Sequence, residues 1–121
     1  LFGADKLTLA ELSAKAKELI AAAQRGSVAP DLLRGASFTV TNLGSLGVES
    51  FTPVINPPQT GILGVCNITR RVKEVDGKDV FYPAMGLSLT FDHRALDGAP
   101  AARFLRDLSV NLENFDLLLA R

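Results

Sequence analysis

The chain contains one histidine, His93, in the stretch Asp92-His93-Arg94-Ala95-Leu96-Asp97-Gly98. An imidazole can take up and release a proton near neutral pH, so His93 is a candidate general base. Asp97, four residues later, could orient the imidazole, cap a following helix or pair with an arginine. Because a lone histidine is more often a buried structural group, the elements around it must decide between catalysis and structure.

The residues on either side of this stretch predict a strand followed by a helix. Residues 82–91 alternate larger apolar with smaller side chains, which is the period of a β-strand. Residues 101–112 place apolar side chains at helical spacing, and Pro100 is tolerated in a first helical turn. His93 is therefore predicted to lie at the rim of a sheet, where a side chain can be aimed and held.

The remaining elements follow from capping, turn and periodicity signals. The Thr8-Leu9-Ala10-Glu11 capping box predicts a helix over residues 8–25. An Asp-Gly turn at Asp76 and Gly77 predicts a hairpin that delivers His93. The predicted elements are helix 8–25, a helical turn at 30–34, strand 36–42, an extended segment at 49–55, hairpin strands 61–74 and 79–91, and helix 99–114.

Composition favours an ordinary packed protein. Hydrophobic residues make up 47% of the chain and charged residues 21%, and its length predicts a single domain. The 13 basic and 13 acidic residues balance, so we expect neither nucleic acid nor an anionic membrane as a partner. Cys66 cannot form an internal disulfide and is expected to be a small buried hydrophobe. Without a signal or spanning segment, a soluble intracellular protein is expected.

The motif around His93 resembles the His-x-x-x-Asp-Gly signature of the catalytic domain of dihydrolipoamide acyltransferases, the E2 components of 2-oxo acid dehydrogenase complexes. Chloramphenicol acetyltransferase and peptide-synthetase condensation domains, which share the fold, usually have a second histidine where this chain has Asp92. The resemblance extends through nearly the whole chain. Its other segments are Ala4-Asp5-Lys6-Leu7, Phe38-Thr39-Val40-Thr41-Asn42-Leu43-Gly44 and Pro53-Val54-Ile55-Asn56-Pro57-Pro58.

This resemblance implies an α/β (α+β) fold of the chloramphenicol acetyltransferase type, a mixed β-sheet covered by helices. Residues 1–121 would form the C-terminal part of such a catalytic domain, about half of it. The implied partners are a lipoyl domain, the E1 and E3 components of the complex and further copies of the chain, in a homotrimer or in a larger cubic or icosahedral core. The implied compartment is the bacterial cytoplasm or the mitochondrial matrix.

The resemblance also implies the reaction, acyl transfer between the thiols of dihydrolipoamide, carried on a lipoyl domain, and coenzyme A, with no metal. His93 would be the general base, supported by Asp97. Thr41 stands where the family usually has a serine whose hydroxyl stabilises the oxyanion. Coenzyme A would run past Thr41 and Asn42 and contact the backbone near Cys66 and Ile68.

Two other functions fit the same sequence. One is a catalytically idle relative that serves only in assembly, which Thr41 and the short chain favour and the intact His93, Asp97 and Gly98 disfavour. The other is a coenzyme A acyltransferase of the same fold that acts on a free small molecule. The apolar segment 115–119 must be buried, either in its own core or on another subunit, and the family uses such a segment to join trimers.

Overall fold

The computed structural model describes residues 1–119, which divide into a compact unit Leu1–Ser37 and a second unit that begins at Phe38. In the first unit, helix α1 (Leu9–Gln24) begins with the predicted capping box. The Thr8 hydroxyl accepts a hydrogen bond from the Glu11 backbone N–H at 3.3 Å, and the Glu11 carboxylate accepts one from the Thr8 backbone N–H at 2.8 Å. The predicted helical turn is confirmed as a 3-10 turn at Pro30–Leu33.

The second unit is built on a three-stranded mixed sheet in the order β1 (Thr39–Asn42), β2 (Gly61–Val75), β3 (Lys78–Phe91). Strands β1 and β2 are parallel, and β2 and β3 are antiparallel. Helix α2 (Gly98–Glu113) packs on β3 and is followed by the short helix α3 (Phe115–Leu119). The predicted mixed fold is confirmed.

Strand β1 is shorter than the predicted strand 36–42. Its first residue, Thr39, pairs with Ile62, and β2 begins at Gly61. By that register, residues 36 and 37 lie opposite residues that precede β2, and Phe38, opposite Gly61, is not part of the paired strand, although the composition of all three suits a strand. Residues 49–55, predicted to be extended, have no regular secondary structure.

The hairpin is confirmed in both position and turn. Asp76 and Gly77 have φ values of 51° and 73°, so both central residues adopt the left-handed conformation of a tight hairpin turn. The register runs from Val75 opposite Lys78 to Gly61 opposite Phe91. Residue 92 therefore follows the sheet at the end of the strands where β2 begins.

The buried apolar core of the described residues is small and lies at one end of the sheet. Its members are Ile62, Leu63, Cys66 and Ala101. Within the described residues, the expectation that β2 is covered on both faces does not hold beyond Cys66, because Ile68 is 70% exposed and residues 70–75 are all exposed. The far arm of the hairpin exposes large side chains, among them Phe81 at 65%.

The C-terminal apolar segment is not buried by the described part of its own chain. Leu117 is 67% exposed, and Phe115, Leu118 and Leu119 are also exposed. The described residues therefore do not bury this segment, and the choice between its own core and another subunit stays a prediction. None of the helices in residues 1–119 combines the length and hydropathy needed to cross a membrane.

The exposed hairpin arm and α3 predict how residues 1–121 behave when expressed alone. Exposed apolar faces and unpaired strand edges favour association, so we expect oligomers or aggregates at micromolar concentration. Sedimentation velocity measures this directly. A monomer that unfolds cooperatively would contradict the prediction and would mean that these faces need no partner.

Candidate active site

His93 lies just beyond the end of β3, as predicted. The Asp92 backbone N–H donates to the Thr60 carbonyl at 2.8 Å, and the chain then turns toward α2. The His93 side chain is 72% exposed, and its ring centroid lies 5.7 Å from that of Phe91. The described residues 1–119 therefore do not bury the imidazole, and its role as a base rather than a structural group stays a prediction.

Asp97 occupies the N-cap position of α2, with extended φ and ψ of −80° and 162°, but its side chain accepts no capping hydrogen bond. Instead, its Oδ1 lies 3.7 Å from Nδ1 of His93. This distance exceeds a hydrogen bond but allows electrostatic attraction. A carboxylate on this side favours a proton on Nδ1, which leaves Nε2 as the ring atom that can accept a proton.

Asp92 and Arg94, the residues on either side of His93, form an ion pair. Asp92 Oδ2 accepts from Arg94 Nη2 at 2.6 Å, and Oδ1 accepts from Arg94 Nε at 3.0 Å. The hydrogen bonds from the Arg94 side chain, reinforced by one from its backbone N–H, lower the pKa of Asp92 to about 2. The carboxylate therefore remains ionised at any pH near neutrality.

Three of the four residues predicted to contact coenzyme A line one cleft, of about 480 Å³. Asn42 contributes from the end of β1, and Cys66 and Ile68 contribute from β2. Thr41 precedes Asn42 in β1 and is half-buried, but it is not part of the cleft lining. The remaining lining residues are Gly44, Ser45, Gly47, Asn67 and Met85.

Within one chain, Thr41 and His93 are far apart. Strand β2 lies between β1 and β3, which places them two strand spacings, roughly 10 Å, from each other. Along the strands, Thr41 pairs with Gly64, whereas Phe91 pairs with Gly61, an offset of roughly 10 Å more. A base and an oxyanion donor must each come within roughly 3 Å of the reacting atoms. One chain therefore does not bring both side chains to one acyl group.

Sequence reasoning missed two residues that shape the cleft, Gly44 and Asn67. A Cβ on Gly44 would lie 2.5 Å from the Cys66 carbonyl oxygen, so the loop after β1 approaches β2 at a distance only glycine permits. Asn67 lies at an irregularity in the β2–β3 register; its backbone N–H donates to Val48 O at 2.8 Å and its Nδ2 donates to Gly47 O at 3.3 Å. The glycine was visible in the sequence only as a turn signal.

No group of three or more His, Cys, Asp or Glu side chains that could hold a metal occurs among residues 1–119. The predicted absence of a metal stays a prediction.

The family model for the 2-oxoacid dehydrogenases acyltransferase (catalytic domain) matches residues 2–120. The chain belongs to this family. It is 45% identical over 111 residues to the dihydrolipoyllysine-residue acetyltransferase component of the acetoin cleaving system of Bacillus subtilis, covering 91% of this chain and 28% of the relative. The corresponding component of the Bacillus subtilis pyruvate dehydrogenase complex is 41% identical over 116 residues, 96% of this chain and 26% of the relative.

Solved structures agree with this membership. A probable dihydrolipoamide acetyltransferase from Listeria monocytogenes matches with a TM-score of 0.86 at 32% identity, over 92% of this chain and 47% of that one. Dihydrolipoamide acetyltransferase from Azotobacter vinelandii matches with a TM-score of 0.85 at 39% identity, over 95% and 47%. The chain thus spans about half the length of these solved chains, and its place as the C-terminal part of a catalytic domain stays a prediction.

The close approach at Gly44 predicts the effect of a single methyl group. Gly44→Ala should destabilise the intact protein by roughly 1–3 kcal/mol, because the new Cβ meets backbone atoms of Cys66 that cannot rotate away. Denaturant unfolding gives the free energy change. Gly98→Ala is the matched control, since a Cβ there has nothing within 4 Å. Equal stability of the two variants would contradict the account of this loop.

Proposed function

We propose that the protein containing this chain transfers an acyl group between dihydrolipoamide and coenzyme A, with His93 as general base. The observation that carries the proposal is an exposed imidazole at the end of β3 whose Nδ1 faces Asp97 and whose Nε2 is left for a substrate. Family membership supports it, because the relatives are named dihydrolipoyllysine-residue acetyltransferases.

The proton chemistry follows from the thiols. An alkyl thiol has a pKa of about 8.5 and is mostly protonated at neutral pH, whereas the thiolate is the nucleophile. Nε2 of His93 takes the thiol proton as the sulfur attacks the acyl carbonyl carbon. When the tetrahedral intermediate collapses, the bond to the other sulfur breaks and the imidazolium returns the proton to that sulfur. Asp97, whose Oδ1 lies 3.7 Å from Nδ1, is the side chain placed to orient the imidazole.

Thr41 is the proposed donor to the oxyanion of the intermediate. The structural study of the Azotobacter vinelandii enzyme concerns a serine, a histidine and an asparagine in its catalytic mechanism. That serine and histidine are as far apart in sequence as Thr41 and His93, and the asparagine follows the histidine by four positions, as Asp97 does here. A threonine offers the same hydroxyl donor as a serine with fewer rotamers.

Coenzyme A is proposed to occupy the cleft lined by Asn42, Cys66 and Ile68. Asn42, which lines this cleft, follows Thr41 in β1. A thiol at the Asn42 end of the cleft would therefore lie near the Thr41 hydroxyl. The lipoyl thiol, carried on a separate lipoyl domain, would approach the same acyl group from outside.

A complete site is proposed to need two subunits, with His93 from one and Thr41 from its neighbour in a homotrimer. The separation of these residues within one chain supports this arrangement. Cyclic trimers have heterologous interfaces, so each interface can join two different surfaces of the same chain. The exposed helix α3 would join trimers into a larger core, which would work with the E1 and E3 components. A structural neighbour is the cubic core of a pyruvate dehydrogenase multienzyme complex, with a TM-score of 0.85 at 38% identity.

Replacing the base tests the proposed chemistry. His93→Ala in the intact, assembled protein should lower turnover by roughly two to four orders of magnitude, the usual contribution of a general base. Turnover is measured with coenzyme A and an acylated lipoamide donor, and sedimentation checks that assembly is unchanged. Near-normal turnover would remove His93 from the mechanism and would favour an idle assembly protein or another chemistry.

Mixing variants tests the shared site. His93→Ala and Thr41→Ala proteins are denatured together and reassembled, and each is also reassembled alone as a control. With random mixing, roughly a quarter of the sites combine an intact histidine with an intact threonine from the neighbour, so activity should rise well above that of either variant. If both residues act within one chain, every site keeps one lesion and mixing restores nothing.

A further inference from the structure

We propose that Asp92, clamped by Arg94, is the positioning residue that fixes the direction of the His93 imidazole. This assignment rests on the proposed function, because it gives Asp92 a role through His93.

The backbone of Asp92 ties the residue before His93 to the sheet and to the turn. Its N–H donates to Thr60 O at 2.8 Å, just before β2 begins. Its carbonyl oxygen accepts from the N–H groups of Ala95 at 2.9 Å and Leu96 at 3.1 Å. The backbone of Asp92 is therefore fixed both to the residue before β2 and to the turn after His93, and this limits how the His93 backbone can move.

The Asp92 side chain adds further hydrogen bonds that span His93 and hold Arg94, the residue after it. Its Oδ1 accepts from the Arg94 backbone N–H at 2.9 Å, which forms a local turn with His93 as the enclosed residue. The Arg94 guanidinium adds two parallel bonds, Nη2 to Oδ2 at 2.6 Å and Nε to Oδ1 at 3.0 Å. Two-pronged bonds between ionised groups fix geometry better than a single contact. The Asp92 side chain is only 21% exposed, whereas that of Arg94 is 91% exposed.

The imidazole has little packing of its own to hold it. The ring of Phe91 lies 5.7 Å away between centroids, and Asp97 Oδ1 lies 3.7 Å from Nδ1. The Asp97 side chain is itself 83% exposed and makes no capping hydrogen bond. The direction of the His93 side chain therefore depends on the backbone turn that Asp92 closes. A misplacement of about 1 Å at a reacting group can lower the rate by roughly a hundredfold.

The test uses Asp92→Ala, Asp92→Asn and Arg106→Ala in the intact, assembled protein. Asp92→Ala should lower kcat by roughly tenfold to a hundredfold with little change in KM for coenzyme A. Asp92→Asn, which keeps an oxygen that can accept from the Arg94 N–H, should recover much of the lost kcat. Arg106→Ala is the control: it removes an ion pair with Asp107, 2.8 Å apart on the surface of α2, and should leave kcat unchanged.

A double variant separates positioning from a general structural effect. If Asp92 acts only through His93, Asp92→Ala should lower kcat no further once His93→Ala is present. The assignment is overturned if Asp92→Ala has normal kcat, if Asp92→Asn is as impaired as Asp92→Ala, or if the losses in the double variant multiply. None of these outcomes bears on whether His93 is the general base. That proposal would be contradicted by normal turnover of His93→Ala alone.

Discussion

The register of β3 against β2 is the constraint on which the proposed chemistry depends. It places Phe91 opposite Gly61, so His93 follows the sheet at the end where β2 begins. Strand β1 starts at that same end and runs parallel to β2, so Thr41 lies farther along the sheet. Because a one-residue slip of register would turn every side chain of β3 to the other face, the tight turn at Asp76 and Gly77 helps to determine where the imidazole points.

The same sheet explains why the chain looks incomplete as a catalytic unit. It presents an exposed base just beyond the end of β3 and Thr41 in β1, and the two residues are separated by roughly 10 Å in each of two directions. The far arm of the hairpin and helix α3 expose apolar side chains on surfaces that the described residues do not cover. The proposed site shared between subunits would account for the separation of the two residues, and contacts with a neighbouring subunit could cover such apolar surfaces.

Much of the fold could be predicted because its signals are local. The capping box at Thr8 and Glu11, the Asp76-Gly77 turn and the spacing of apolar residues after Pro100 each determine a nearby backbone conformation. The start of β1 could not be predicted, because the register that leaves residues 36 and 37 opposite residues before β2 arises only when distant strands pair. The burial of β2 was overestimated for a similar reason, since an apolar run does not reveal what covers it.

In the candidate site, too, the local features could be predicted from the sequence and the contacts between distant residues could not. The motif identified His93, Asp92 and Arg94, and their proximity in sequence made the ion pair predictable. The orientation of Asp97 toward Nδ1 rather than toward the helix N-terminus depends on side-chain rotamers that sequence does not encode locally. The contacts of Gly44 with Cys66 and of Asn67 with Gly47 join residues about twenty positions apart, so they appear only once the strands are paired.

The most direct test of the shared site is the structure of the intact, assembled protein with coenzyme A bound. We expect the coenzyme A sulfur to lie roughly 3–3.5 Å from His93 Nε2 of one subunit. We also expect Thr41 Oγ1 of a neighbouring subunit to face the position of the acyl oxygen, with the rest of the coenzyme along Asn42, Cys66 and Ile68. A coenzyme A thiol remote from His93, or a His93 and a Thr41 from the same chain meeting at one thiol, would contradict the account.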